Sequence, residues 1–582
     1  MSTGQKAYYL DKGFTLLEAI LSGALFIIIA TAVIGGLING RESTALAGAR
    51  GRAVLLAEEG LEAVRNLRDN SFANLVDGTY GLATTSNQWT LAGNSDSVDG
   101  FTRQITVGTV DTYTKSITST VTWQQNLQRN GTVTVNTLLT NWRRIASYGG
   151  MLVYGDGGTT TDTIRYRILD NTGVWGSVLT TADVDTLTTN KAVRHIQVYA
   201  SKTRNEKIIL SRHYNGSAQF IYGQVYNGTS WGSVQLLSTW TAGTFLDVQN
   251  FDGDYLANGD FVVVYSDNTT IPKFRTWNGS VWSGQGSLPN IGGIPNVVVT
   301  KTRPTTNEVM IAFYDQTKGT NTVYFNGGAY TTAANWVLSA EHAATAQINT
   351  IRMVDFAWSP NNSLKGALVY SDKTNDKALK IKIWTADGNG SGNWSLQAAT
   401  NNQLSNLGAV SVIGIPNSNN FLACNKDTNA SPRILCYQSD FTPAWTNPSN
   451  QTLITGSDTG IQRSFDTGFE SLSGLVGLAV YSDRTTIPKL KKYVPSTLTF
   501  DTTATNLSTL TAALETVRII PDTAGNDIMV ILGDTGQDLY SVVWNGTTDQ
   551  TYTTPLGKAF SAHGLSGSVD KDFWYDFVWD RF

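Results

Sequence analysis

Three patterns of hydrophobic and polar positions succeed one another along the chain. After the polar residues 1–13, the 22 positions from Ala19 to Gly40 hold no charge, and at about 1.5 Å per residue a helix of that length crosses a bilayer core. Leu46, Ala49, Ala53, Ala57, Leu61 and Val64 then recur at three- and four-residue steps, which predicts that the helix continues to Asn70. Gly35 and Gly36 are where it is expected to loosen. From Ser71 to Arg144 the period changes to two. Ile117, Val121 and Trp123 share one face and Asn130-Gly131 predicts a hairpin turn, so a small sheet is expected to pack on the helix.

The third pattern is a repeat. Val-Tyr-Gly-Asp at 153–156 returns as Val-Tyr-Ser-Asp at 264–267, 369–372 and 480–483, at steps of 111, 105 and 111 residues. Halfway between stand Asn205-Glu206, Asn307-Glu308, Asn419-Asn420 and Asn526-Asp527, the first two opening the apolar strands Lys207 to Leu210 and Val309 to Phe313. The unit is therefore roughly 55 residues, the size of a four-stranded propeller blade. Many units end in a turn such as Tyr226-Asn227-Gly228 or Trp277-Asn278-Gly279, with Trp231 or Trp282 just beyond. Alternate units open on an Asp with an aromatic three or four residues later: Asp247 to Phe251, Asp355 to Trp358, Asp466 to Phe469 and Asp576 to Trp579. The last copy runs out at Phe582, and its continuation is the strand from Met151 to Asp156. A blade assembled from both ends closes a ring and removes exposed sheet edges. The expectation is an eight-bladed β-propeller over 146–582, with seven blades or another repeat architecture as alternatives.

Composition narrows the chemistry. Only 15% of residues are charged, against roughly 25% in ordinary soluble domains. With 42 basic and 46 acidic residues and no basic block, nothing points to nucleic acid. His195, His213, His342 and His563 share no repeat position, which suggests structural or exposed roles, and no metal or cofactor is expected. Cys424 and Cys436 face each other across a hairpin as a disulfide or stay as two buried thiols. Asp156, Asp267, Asp372 and Asp483 either ring the channel as cation ligands or cap turns, the capping role being favoured. Asn-x-Ser/Thr triplets at Asn215, Asn227 and Asn278 follow from composition alone. Sialidase propellers carry Ser-x-Asp-x-Gly-x-x-Trp boxes. None of these units matches, so an enzyme is not expected, and a sialidase-like surface glycosidase is the least favoured reading.

The junction Lys12, Gly13, Phe14, Thr15, Leu16, Leu17, Glu18 stands directly before the apolar run, and no A-x-A-like site closes that run. It resembles the prepilin motif of type IV pilins and pseudopilins. The resemblance implies a prepilin peptidase that cuts between Gly13 and Phe14, methylation of the new amino terminus at Phe14, and a glutamate at the fifth mature position, here Glu18. A carboxylate at the start of a membrane helix costs about 2–3 kcal/mol, so Glu18 needs a partner. In the family that partner is the amine of Phe14 on an adjacent subunit, which makes Phe14 and Glu18 the filament-assembly pair. Lys6 and Lys12 keep the leader cytoplasmic. An uncleaved signal anchor is the alternative. Gly35 replaces a Pro found in many pilins, and the family's carboxy-terminal disulfide loop is missing.

Together these readings predict a mostly β chain with a long N-terminal α-helix. The order is a leader at 1–13, a helix over 14–70 with 19–40 transmembrane, a pilin-like sheet over 71–145 and the propeller. The expected protein is a minor type IV pilin, single-pass in the inner or cytoplasmic membrane, with its C-terminal domain extracytoplasmic and then on a cell-surface filament. It would act at the pilus tip or as a low-abundance adhesion subunit, with other pilins as partners and a glycan or protein as ligand. The alternative is a pseudopilin of a type II-like secretion system whose propeller engages cargo or a partner.

Overall fold

The structure is a computed structural model. It describes residues 15–582 apart from 71, 86–87, 112–113, 127, 141–148, 156–163, 172, 185–191, 242–248, 318, 345–351, 362–363, 373–376, 389–390, 401–404, 430, 442–448, 458–462, 546–552, 559–573 and 581–582. Two compact units divide the chain, Met1–Arg143 and Arg144–Phe582.

In the first unit one α-helix runs from Leu16 to Asn70. It passes through Gly35 and Gly36 without a break, so the expected loosening there is absent. The helix divides into two halves. Leu21, Phe26, Ile28 and Leu37 are each more than half exposed, whereas Ala53, Leu56, Ala57, Leu61, Val64 and Leu67 are buried. The buried stripe lies on a six-stranded antiparallel sheet. Gly60 sits at the closest approach: a Cβ there would stand 2.7 Å from the Ser119 hydroxyl and 2.9 Å from Ile105 Cδ1. Ile117, Val121 and Trp123 face the helix, as their spacing predicted. The hairpin does not turn at Asn130-Gly131. Strand Thr114–Asn126 pairs with Arg129–Thr140, and Gly131 lies opposite Trp123, whose indole occupies the space a side chain would need.

The second unit consists of eight antiparallel sheets, each a run of four strands in order, two of them with one further short strand. They are the blades of a β-propeller, lettered A to H. The inner strands are Ala192–Ala200 in blade A, Phe251–Tyr255 in B, Pro295–Thr302 in C and Val354–Trp358 in D. They continue with Leu407–Gly414 in E, Phe465–Phe469 in F, Leu514–Pro521 in G and Tyr575–Trp579 in H. Neighbouring inner strands are packed against each other with buried aliphatic and aromatic side chains between the sheets. The long apolar runs, such as Val309–Asp315, are second strands covered on both faces by adjacent blades.

Blade H closes the ring. Tyr575–Trp579 pairs antiparallel with Gly150–Gly155, setting Tyr575 opposite Tyr154 and Trp579 opposite Gly150. Trp574, Tyr575, Phe577 and Trp579 are all buried. The Trp579 indole donates to the Ile520 carbonyl of blade G at 2.8 Å, so the terminal strand is tied to a blade it does not belong to. Burying each large apolar side chain is worth about 1.5–3 kcal/mol. Deletion of residues 571–582 is therefore expected to lower the melting temperature of the propeller far more than loss of a frayed tail, measured by calorimetry on the full-length and truncated chains. A melting temperature unchanged within a few degrees would contradict closure.

Candidate functional site

The inner strands enclose a cavity of about 440 Å³ to which all eight contribute. Its geometry begins with one carboxylate on each of blades B, D, F and H. Every one accepts an amide from the next blade: Asp252 from Thr300 N at 2.7 Å, Asp355 from Val412 N at 3.0 Å, Asp466 from Ile519 N at 2.9 Å and Asp576 from Val198 N at 3.0 Å. In the first three the other carboxylate oxygen accepts the amide of the residue that follows in the same strand, at 2.9–3.0 Å. The strands are extended, so the Asp side chain leans sideways over the seam and reaches an amide that the sheet ladder leaves unpaired.

Cations stand among these carboxylates. Arg352 donates to Asp355 at 2.9 Å and to the Gln249 side chain at 3.2 Å, Arg463 pairs with Asp466, and Arg518 lies 3.7 Å from Asp576. Asp252 has no such arginine. Gln249 occupies the place of Arg352 and Arg463, and the Tyr199 hydroxyl donates to Asp252 at 2.5 Å instead. Burial pushes the Asp252 and Asp576 carboxyls up, opposed in turn by Lys301 and by Arg518. Asp355 is desolvated too, but the Arg352, Lys301 and Arg463 charges outweigh burial and hold it below the usual carboxylate range. Burial, with the Asp252 charge, drives the Tyr199 hydroxyl well above its ordinary value.

The sequence reading placed the opening Asp of blade B at Asp247, which lies outside the described residues. Asp252 holds the position equivalent to Asp355, Asp466 and Asp576, because the register runs from the strand and not from the distance to Phe251. The carboxylates of Val-Tyr-Ser-Asp do not ring the channel. Asp267 and Asp483 accept the amide and hydroxyl of Thr269 and Thr485 two residues on, and Asp267, Asp372 and Asp483 lie 3.6, 3.4 and 3.4 Å from Lys273, Lys380 and Lys489. Asp267 and Asp483 cap turns at the ends of second strands, Asp372 accepts from the Gln397 side chain at 2.7 Å, and Asp156 and residues 373–376 lie outside the described residues. Lys301, Arg352, Arg463 and Arg518 were missed. The signal was present: Arg-x-x-Asp at 352–355 and 463–466, with Gln249-x-x-Asp252 as the variant.

Other singled-out residues serve the scaffold. Trp231 and Trp282 beyond the turns sit at blade seams, and Trp336 and Trp394, which the sequence reading did not name, do the same: the Trp336 ring lies 4.4 Å from Phe274 of the preceding blade and the Trp394 ring 4.7 Å from His342. Gly228 and Gly279 take φ of 91° and 92° in the turns before them. Asn215, Asn227 and Asn278 accept backbone amides two and three residues on. Glu206 is buried between the Tyr255 hydroxyl at 2.8 Å and the Trp277 indole at 3.0 Å. Cys424 and Cys436 lie opposite each other on adjacent strands of blade E, fully buried and joined as a disulfide. His195 packs edge-on against Phe251 and His213 contacts the Ser211 hydroxyl at 2.8 Å, both buried, while His563 lies outside the described residues. Among the described residues no three His, Cys, Asp or Glu side chains come together as cation ligands.

At the other end of the chain, Gly13 and Phe14 lie outside the described residues. Thr15 and Glu18 form a capping box: the Thr15 amide and hydroxyl each donate to Glu18 at 3.0 Å, and the Glu18 amide donates to the Thr15 hydroxyl at 3.3 Å.

No protein-family model matches the chain, and no curated protein does. Among solved structures, the BP39L lectin from Burkholderia pseudomallei is 11% identical over 63% of this chain and all of its own, with a TM-score of 0.43. A putative 6-phosphogluconolactonase from Bacteroides uniformis is 13% identical over 74% of this chain and all of its own, TM-score 0.40. The WD40 domain of SCAP from fission yeast is 11% identical over 68% of this chain and 95% of its own, TM-score 0.38. Likeness at this level carries no argument about what the chain binds.

Two outcomes follow from the site geometry. Asp355→Ala strands a partly buried Arg352 and the buried Val412 amide, so it should cost about 3 kcal/mol, whereas Asp267→Ala removes a half-exposed turn cap and should cost about 1 kcal/mol; denaturant unfolding of the two variants compares them, and equal losses would contradict the separation of latch from cap. Burial, with the Lys382 charge, pushes the His342 imidazole down from 6.5 to about 3. The folded state therefore refuses a proton that the unfolded chain binds, and stability falls as pH drops through the window between those values. His342→Gln should flatten that loss in melting temperature, in part because His195 is also held well below its ordinary value by burial.

Proposed function

We propose that the chain is a minor type IV pilin, processed between Gly13 and Phe14, that presents its propeller at the cell surface as a binding module. The observation that carries this reading is the division of one unbroken helix. Its second half is buried on the sheet of its own unit, while Leu16 to Ile38 expose one large apolar side chain after another and none of the most apolar window is buried. Such a surface needs an apolar partner. Lipid meets that need in a membrane, and the helices of other subunits meet it in a filament.

The capping box modifies the argument about Glu18. In a single subunit its carboxylate is already engaged at the helix start by Thr15, so a neighbour's Phe14 amine would compete with that contact. The propeller unit is also far larger than the unit that carries the helix, which favours a tip position or a rare subunit over close-packed repetition. The channel carboxylates are committed to backbone amides, which favours binding over acid-base catalysis.

Coexpression with a prepilin peptidase should yield a mature chain that begins at Phe14, methylated at its amine, and Gly13→Trp should block the cut. Amino-terminal mass spectrometry checks both. A chain that still starts at Met1, or one that starts beyond Gly40, would contradict the reading.

A further inference from the structure

In the channel two carboxylates are each engaged by several donors, while one ammonium has no acceptor among the described residues. Asp355 and Asp252 each have both carboxylate oxygens engaged by backbone amides of two strands, and a third donor besides, Arg352 for one and Tyr199 for the other. Lys301, on the inner strand of blade C, contributes an exposed side chain to the same cavity, and among the described residues its ammonium makes neither hydrogen bond nor ion pair. Arg352 lines the same cavity, and each of its terminal nitrogens, one held by Gln249 and the other by Asp355, carries a second N–H. Lys301 lies on the inner strand of blade C and Arg352 stands just before that of blade D, so the two cations come from adjacent blades and share one side of the channel. Each of these carboxylates already serves three donors, whereas among the described residues the Lys301 ammonium serves no acceptor. An added acceptor would displace nothing.

We propose that this side of the channel binds an oxyanion, the carboxylate or phosphate of a small polar molecule, with Lys301 as its principal contact and Arg352 as a second donor. The cavity volume of about 440 Å³ suits a ligand of sugar size. Two ionised donors to one oxyanion form the stronger class of hydrogen bond. The proposal rests on the propeller being a binding module and on nothing in the amino-terminal unit, so its failure would leave the processing result untouched.

The test is calorimetric titration of the full chain in detergent with D-glucuronate, with glucose 6-phosphate and with uncharged glucose. Saturable binding of glucuronate alone would support a carboxylate source, of the phosphate alone a phosphate source, and of both a general oxyanion site, with glucose inert in each case. Lys301→Ala should weaken binding by about tenfold or more, and Lys301→Arg should retain it. Lys301→Arg should leave the melting temperature in place, and Lys301→Ala should lower it only through loss of the charge beside Asp252 and Asp355. Binding of neither anion, equal binding of glucose, or unchanged affinity in Lys301→Ala would overturn the proposal.

Discussion

A carboxylate that accepts an amide across a seam is the contact on which the propeller depends. Sheets packed face to face give apolar burial but no angular register, and an inner strand has one row of amides with no ladder partner. An amide buried without an acceptor costs a few kcal/mol. Asp252, Asp355, Asp466 and Asp576 meet that requirement for one amide at four of the eight seams, and each does so from an equivalent position. Intervening seams use other polar contacts: the Trp358 indole donates to the Lys301 carbonyl at 2.9 Å, Trp579 does likewise to Ile520, and Tyr255 reaches Glu206. Blades D and H therefore hold the neighbour ahead by a carboxylate and the neighbour behind by an indole.

That commitment shapes what the channel can do. A ring of four Asp in a cavity invites assignment as a cation or acid-base site, yet these carboxylates are acceptors already in use. The channel's remaining capacity lies in its donors, and they are concentrated where the repeat is least regular. Blade B has Gln249 where D and F have arginine, and blade C carries Lys301 where E has Ile413 and G has Ile520. Departure from the repeat, more than the repeat itself, marks the place where a ligand can be accommodated.

Much of the architecture was legible because a propeller writes its period into the chain. Val-Tyr-Ser-Asp and Asn-Glu recur because each blade must solve the same turn and burial problem, and the truncated copy at Asp576 announced the closing blade. Function within the motif was harder to read. Asp267 and Asp355 are both Asp in a repeated phrase, and only the strand register shows that one caps a turn while the other bridges two blades. Asp252 was overlooked for Asp247 because spacing to an aromatic is a weaker guide than pairing in a strand. Gly131 looked like a turn residue after Asn130, whereas the Trp123 indole requires it inside a strand. Thr15-x-x-Glu18 is a capping box on its face, and it adds a contact within the subunit to the pairing with a neighbour's Phe14 that the resemblance implies.

The amino-terminal helix and the propeller meet the demand for apolar burial differently: the helix leaves an apolar surface unburied and so requires a partner, while each blade covers its apolar faces with the blades beside it. Closure is thus the claim from which the rest follows, and native-state hydrogen exchange reads it directly. The amides of Val198, Thr300, Val412 and Ile519 should exchange at similarly slow rates in the full chain, because all four donate to equivalent carboxylates and only global opening frees them. Fast exchange at Val198, with Thr300, Val412 and Ile519 protected, would show that the terminal strand is not latched and that the repeats form an open array.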